Sequence, residues 1–96
     1  MTSLPLGRDK LYWLMDLLMA DHHDAGTFCK EFERTYNFET DKAALSDAER
    51  VAFSELFAKV VRYSPFPDER QAVPTYQGGA EIREAVRVAR RVLRAS

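Results

Sequence analysis

Apolar residues recur at steps of three and four positions in four stretches of the chain, a spacing that places side chains on one face of an α-helix. The pattern predicts helices over residues 8–20, 24–37, 46–63 and 80–94. The predicted buried faces, from the first helix to the fourth, are Leu11, Leu14, Met15 and Leu18; Ala25, Phe28, Phe32 and Tyr36; Phe53, Leu56, Phe57, Val60 and Val61; and Ile82, Ala85, Val86, Ala89 and Leu93. Four such helices joined by short or medium connections favour an all-α fold, an antiparallel four-helix bundle.

Local signals mark the bounds of the two central helices. Asp24 is a favourable N-cap residue for the second helix, and Asn37 can end it. The run Ser46-Asp47-Ala48-Glu49 is a capping box, in which the N-cap serine and the glutamate three residues later bond each other's backbone N–H groups. The third helix is therefore expected to begin at Ser46.

The connection between the third and fourth helices is long and unusual in composition. Pro65 and Pro67 prevent the third helix from continuing, because proline has no N–H to donate and its ring clashes with the preceding turn. About 15 residues then lead to Gly78, without a predicted helix. Connections of this length in a small domain are often functional. Aromatic and acidic residues occur side by side in it, a combination typical of binding surfaces. Composition alone equally fits aromatic residues that cap one end of the bundle.

Length and composition predict one domain over residues 1–96, in which 46% of the residues are hydrophobic. The first five residues lack the basic start and apolar run of a secretory signal, and no apolar stretch reaches the roughly 18–20 residues that span a bilayer. Cys29 is the only cysteine and cannot form an internal disulfide, which is typical of the reducing cytoplasm. We therefore expect a cytoplasmic protein that does not contact a membrane.

Charge is unevenly distributed although the net charge is only −1. Residues 16–55 include ten acidic and four basic residues, whereas residues 80–96 include five arginines and two glutamates. A general nucleic-acid-binding protein would present one broad basic face. An acidic body instead favours a basic protein partner.

Two candidate reactive groups have simpler interpretations. His22 and His23, with acidic neighbours, could hold a metal, but adjacent residues do not match a known ligand spacing and fit a polar turn between helices better. Cys29 is in phase with the buried face of the second helix, where a structural cysteine is expected. The chain has no phosphate-binding loop, serine elbow or zinc motif. We expect neither enzymatic activity, nor a metal, nor a cofactor.

Residues 62–70, followed by Pro74-Thr75-Tyr76 and a helix near Gly79, resemble the self-protective colicin-like immunity family, which includes immunity partners of contact-dependent inhibition toxins. Residues 28–36 and 55–57 resemble the second and third helices of the family, so the resemblance extends over most of the chain. It implies a four-helix bundle that binds the nuclease domain of a cognate toxin. Where such a toxin cleaves transfer RNA, acidic residues of the immunity protein occupy the positive active site in place of RNA phosphates.

The resemblance matches Asp68 and Glu69 to the acidic pair of the family's loop and Tyr63 to the aromatic residue before it. Together with the local excess of carboxylates, it predicts a toxin-binding surface formed jointly by the linker 38–47 and the connection 63–76. The predicted contact residues are Glu39, Asp41, Asp47, Tyr63, Phe66, Asp68, Glu69 and Tyr76. The free protein is expected to be a monomer that does not bind nucleic acid directly.

Two other functions remain open from the sequence. The five arginines of the fourth helix, Arg83, Arg87, Arg90, Arg91 and Arg94, could make the chain a small nucleic-acid-binding regulator. The chain could also be a helical adaptor without a toxin partner.

Overall fold

The computed structural model describes residues 6–95, and within them the fold is all-α. Its α-helices, numbered in chain order, are α1 (Gly7–Met19), α2 (Ala25–Arg34), α3 (Asp47–Val60), α4 (Pro67–Ala72) and α5 (Gly79–Ala95). A π-helical turn (Thr35–Glu39) and a 3-10 turn (Lys42–Ala44) lie between α2 and α3. The described residues form no strand, and Tyr63 and Gln77 form an isolated bridge. No helix within residues 6–95 has the length and apolar character needed to cross a bilayer.

The four predicted helices are present with small differences in their bounds, but the expectation of a connection without a helix is wrong. Pro67 is the first residue of α4, where its missing N–H has no helical partner to bond and its fixed φ suits the first turn. Asp68 and Glu69 follow in that turn and favour it, because the helix dipole is positive there. The two prolines end one helix and begin another.

The predicted apolar faces form the core. Phe28, Phe32 and Phe53 are completely buried at its centre, and α5 packs against α1, α2 and α3. Of the remaining predicted residues, Leu11, Leu14, Met15, Leu18, Ala25, Leu56, Val60, Ile82, Ala85, Val86 and Ala89 are also buried. Tyr36, Phe57 and Leu93 pack at the edge of the core, whereas Val61 is 46% exposed, because it lies just after the end of α3.

The end of α2 is fixed by side chains of the following linker. The Thr40 hydroxyl donates to the carbonyl of Thr35 (2.9 Å), and the Lys42 ammonium donates to the carbonyl of Tyr36 (2.7 Å). The same ammonium lies 4.4 Å from the centre of the Tyr36 ring, a cation–π contact. These contacts satisfy carbonyls that a helix end leaves without partners, and they replace the predicted end at Asn37 with a π-helical turn to Glu39.

Helix α3 separates two ends of the molecule. At the end that we call the connection end, residues 61–78 lie against the start of α2, since the Tyr63 ring is next to Gly26. At the opposite end, which we call the linker end, Lys10 pairs with Glu39 and Arg8 pairs with Glu49. The 14 residues of α3 rise about 1.5 Å each, so the two ends are about 20 Å apart.

Candidate functional site at the connection end

Buried Ser64 organises the connection between α3 and α5. Its hydroxyl donates to Oε1 of Glu69 (2.7 Å) and accepts from the backbone N–H of Phe66 (3.2 Å). Its carbonyl accepts from Nη1 of Arg70 (2.7 Å). Three atoms from the start of α4 and the segment before it thus converge on one serine that is only 3% exposed. A helix of six residues would be unstable by itself, and these bonds hold it in place.

Backbone hydrogen bonds join the first residues of the connection to its last residues. The N–H of Ser64 donates to the carbonyl of Gln77 (2.9 Å), and the N–H of Gln77 donates to the carbonyl of Arg62 (2.8 Å). The N–H of Gly78 then donates to Oε2 of Glu81 in the first turn of α5 (3.1 Å). With its ends joined and its centre held by Ser64, the connection is ordered before any partner binds, which lowers the entropy lost on binding.

Three aromatic side chains lie at the connection end. Phe66 is 59% exposed and Tyr76 is 38% exposed, whereas Tyr63 is half-buried and packs against the core. Burial, with smaller effects from Cys29 and Asp24, raises the pKa of Tyr63. Its hydroxyl therefore stays protonated at neutral pH and can donate a hydrogen bond.

The carboxylates at this end differ in whether they already accept a hydrogen bond or form an ion pair within the molecule. Asp68 is exposed, and no basic group among residues 6–95 lies within ion-pair distance of it. Glu69 is exposed but accepts the Ser64 hydroxyl, so one of its oxygens is engaged. Asp68 is the more available of the predicted acidic pair.

Asp24 joins this end of the molecule, although the sequence indicated only its role as a helix cap. It does cap α2, accepting from the backbone N–H of Thr27 (2.7 Å), and this bond lowers the pKa of its carboxyl. A methyl group at Gly26 would be 3.6 Å from the Asp24 carboxylate and 3.8 Å from the Tyr63 hydroxyl. Asp24 and Tyr63 are therefore neighbours across the start of α2, a proximity that no local sequence signal contains.

The structure places the predicted contact residues in two groups, because the linker and the connection lie at opposite ends of α3. Tyr63, Phe66, Asp68, Glu69 and Tyr76 are at the connection end, whereas Glu39, Asp41 and Asp47 are at the linker end.

The linker carboxylates are also less available. Glu39 forms an ion pair with Lys10 (3.2 Å), Asp47 forms one with Arg50, and Asp41 accepts from the N–H of Ala43 (3.0 Å) while remaining exposed.

The histidines and the cysteine do not converge on a site. Cys29 is buried, and burial raises the pKa of its thiol to about 12, so the reactive thiolate is not populated at neutral pH. His22 is exposed on the turn after α1, and His23 is half-buried. Residues 6–95 contain no group of three or more His, Cys, Asp or Glu side chains placed to hold a metal ion.

The arginines of α5 are largely paired within the molecule. Arg83 contacts Asp21 (2.8 Å) and donates to the Leu18 carbonyl, Arg87 contacts Glu84 (3.0 Å), and Arg90 contacts Asp16 (3.2 Å). Arg91 and Arg94 form no ion pair with the described residues. Three of the five charges that could have faced nucleic acid are thus already balanced.

Comparisons with protein-family models, with curated proteins and with solved structures found no match to this chain.

Proposed function

We propose that this chain is an immunity protein of the self-protective colicin-like type, which binds and neutralises a cognate bacteriocin or contact-dependent inhibition toxin in the cytoplasm. The four-helix-bundle topology of that family is part of the proposal. The partner is the toxin's nuclease domain, and the favoured target of that nuclease is transfer RNA. The chain acts by covering the nuclease's active site and carries out no reaction itself.

One observation carries the proposal. Exposed Phe66 and unpaired Asp68 lie two residues apart on a connection that buried Ser64 holds in place. An exposed aromatic ring beside a carboxylate on a rigid support is a typical arrangement for a binding hot spot.

The chemistry of a ribonuclease suits this surface. An active site that holds RNA phosphates is positively charged, and carboxylates that remain ionised can occupy it in their place. Asp68 supplies the exposed charge and Glu69 a second one, while Asp24 extends the acidic surface toward Tyr63. Tyr63 and Tyr76 add hydroxyl groups and apolar area. No cofactor or metal is needed for inhibition of this kind.

The proposal assigns docking to the connection end and not to the linker end. Glu39 and Asp47 already form ion pairs, and binding a toxin cation there would first require those pairs to break. Of the predicted linker carboxylates, Asp41 forms no ion pair with a basic group among residues 6–95. The linker end also carries an exposed aromatic ring, Phe38, which is 83% exposed. Variants at the linker end therefore serve as controls for variants at the connection end.

A growth assay tests the proposal. Cells producing the toxin nuclease domain encoded beside this chain's gene should survive with the wild-type chain. The double variant Asp68→Lys/Glu69→Lys should lose protection, because like charges at an interface cost several kcal/mol. The matched control is Asp9→Lys/Asp41→Lys, which makes the same charge change on exposed residues of the linker end.

Both double variants should retain the wild-type circular dichroism spectrum, but each removes one acceptor, Glu69 for the Ser64 hydroxyl and Asp41 for the N–H of Ala43, and should lose about 0.5–1.5 kcal/mol of stability. Asp68→Lys alone leaves the bond between Ser64 and Glu69 in place. It should stay within about 0.5 kcal/mol of the wild type and should still weaken protection. If the connection variant still protects cells and the linker variant does not, the toxin-binding site lies at the linker end. A neighbouring nuclease domain that the wild-type chain neither binds nor neutralises would overturn the immunity function.

A nucleic-acid-binding regulator is the alternative, and it makes the opposite prediction. Such a protein should bind bulk RNA or DNA with an affinity that falls steeply with salt. With Arg83, Arg87 and Arg90 paired to carboxylates, we expect almost no such binding at physiological salt.

A further inference from the structure

A row of exposed valines lies along the outer face of α3 and α5. Val51 of α3 is 57% exposed, and Val88 and Val92 of α5 are 40% and 45% exposed. They line a shallow groove of about 280 Å³ between the two helices. Valine is a weaker helix former than alanine, lysine or glutamate, so helix stability does not account for it on a solvent-facing surface. No residue of the connection lines this groove.

Charges of both signs border the valines. Glu55 and Lys59 line the groove on α3, and no charged group among residues 6–95 lies within ion-pair distance of either. On α5, Glu84 and Arg91 lie seven residues apart, which is two helical turns, with Val88 between them. Residues at this spacing lie on one face of a helix. Glu84 already pairs with Arg87 of its own helix (3.0 Å), but both side chains are exposed, so this pair contributes little and can be exchanged for a pair with another chain.

The order of charges on α5 makes this face complementary to itself. On the side of α5 that carries Val88, Glu81 and Glu84 lie before it and Arg91 lies after it, whereas the other four arginines of α5 lie about 100° or more around the helix from Val88. If two α5 helices pack antiparallel across a two-fold axis near Val88, Glu84 of one chain meets Arg91 of the other, and this pairing occurs twice. An interface in which residue i meets residue j and j meets i is the kind that a two-fold dimer requires.

We propose that this face, defined by Val51, Glu55, Lys59, Glu84, Val88, Arg91 and Val92, is the contact surface between two copies of this chain, packed with their α5 helices antiparallel. This replaces the monomer expected from the sequence. The proposal is independent of the toxin-binding function, because the connection end lies outside the groove.

The area of this face indicates how tightly two copies should associate. Helix α5 is about 25 Å long, and two neighbouring helices are about 20 Å wide, which gives a flat area of about 500 Å² per chain. Stable interfaces bury about 800 Å² per partner. The dimer should therefore be reversible and populated at micromolar or higher concentrations.

Sedimentation of the full chain over a concentration series tests the proposal. The wild type should shift from monomer to dimer with increasing concentration. Val88→Glu should weaken dimerisation by about tenfold or more, because it buries a charge at the two-fold axis. It should keep its helical content, since Val88 is partly exposed and glutamate is the better helix former. Glu33→Arg, an exposed charge reversal on α2, is the control and should dimerise normally.

Charge exchange tests the antiparallel pairing without relying on Val88. Glu84→Arg alone and Arg91→Glu alone should each oppose like charges and lower dimer affinity by about tenfold. An equimolar mixture of the two variants should form a heterodimer, because one chain then offers arginines at both positions and the other offers glutamates. A wild type that stays monomeric at all concentrations would overturn the proposal, as would a mixture that associates no better than its components. Loss of toxin protection in a monomeric Val88→Glu chain would assign the face to the toxin instead.

Discussion

The hydroxyl of Tyr12 on α1 donates a hydrogen bond of 2.6 Å to Oε2 of Glu49 on α3. Glu49 is only 8% exposed, and its other oxygen accepts from the N–H of Ser46 as part of the capping box. One carboxylate thus connects the first helix to the start of the third, with Arg8 3.6 Å away as its counter-ion. A buried carboxylate is tolerated here because each of its oxygens has a partner.

Removing the Tyr12 hydroxyl should destabilise the fold measurably. Tyr12→Phe keeps the edge-to-face contact with Phe53 but leaves Oε2 of Glu49 without its partner. Hydrogen bonds to charged groups contribute about 1.5–3 kcal/mol, and the remaining bonds of Glu49 reduce the expected loss to about 1–2 kcal/mol. Urea unfolding would measure it. Tyr76→Phe, on an exposed tyrosine, is the control and should leave the free energy of unfolding unchanged.

Stability should fall in acid because of the same carboxylate. Burial acts to raise the pKa of Glu49, but hydrogen bonds from Tyr12 and Ser46, with Arg8, outweigh it and hold the pKa below its ordinary value. A group whose pKa is lowered by folding stabilises the protein above its unfolded pKa, and this contribution is lost as the pH falls through its folded pKa. Between about pH 5 and pH 3 the wild type should therefore lose more stability than Glu49→Gln. Parallel loss in both proteins would show that other groups are responsible.

The capping box at the start of α3 gives a second measurable contribution. The Ser46 hydroxyl accepts from the N–H of Glu49 (3.1 Å), so Ser46→Ala should cost about 0.5–2 kcal/mol. Ser54 is exposed within α3, away from its ends, and Ser54→Ala should be neutral or slightly stabilising, because alanine is the better helix former. Equal effects of the two substitutions would contradict the cap.

Two glycines at the connection end should respond oppositely to alanine. A methyl group at Gly26 would lie 3.7 Å from the Tyr63 ring, an ordinary contact, so Gly26→Ala should stabilise α2 by about 0.5–1 kcal/mol. A methyl group at Gly78 would lie 2.8 Å from Oε2 of Glu81 and 3.1 Å from Nε of Arg70. Gly78→Ala should displace both side chains and cost about 1 kcal/mol. Thermal unfolding of both variants checks the sign of each change.

The fold was largely predictable because its signals are local. Apolar spacing predicted the buried faces, and the capping box predicted the start of α3, which the structure confirms. Helix α4 does not follow from the sequence pattern, because proline both ends helices and commonly occupies the first position of a new one, and Pro67 alone does not distinguish these roles. Val61 is exposed because α3 ends at Val60, three residues before the predicted end at residue 63.

The candidate site was predictable only in part. The length of the predicted third helix already implied that the linker and the connection are far apart, since each residue of a helix advances about 1.5 Å. The proximity of Asp24 to Tyr63 depends on how α2 packs beside the end of α3, and no pattern within either segment indicates it. The ion pair between Lys10 and Glu39 is likewise formed across 29 residues of chain.

Phe66 should contribute to toxin binding but not to folding. Its ring is 59% exposed, so Phe66→Ala should change the free energy of unfolding by no more than about 0.5 kcal/mol. If the nuclease domain docks at the connection end, the same change should weaken binding by about 2 kcal/mol or more, mainly through faster dissociation. Phe38→Ala removes a ring that is 83% exposed at the linker end and should leave binding unchanged. Binding kinetics measured with immobilised nuclease domain distinguish the two ends, and a larger loss for Phe38→Ala would place the interface at the linker end.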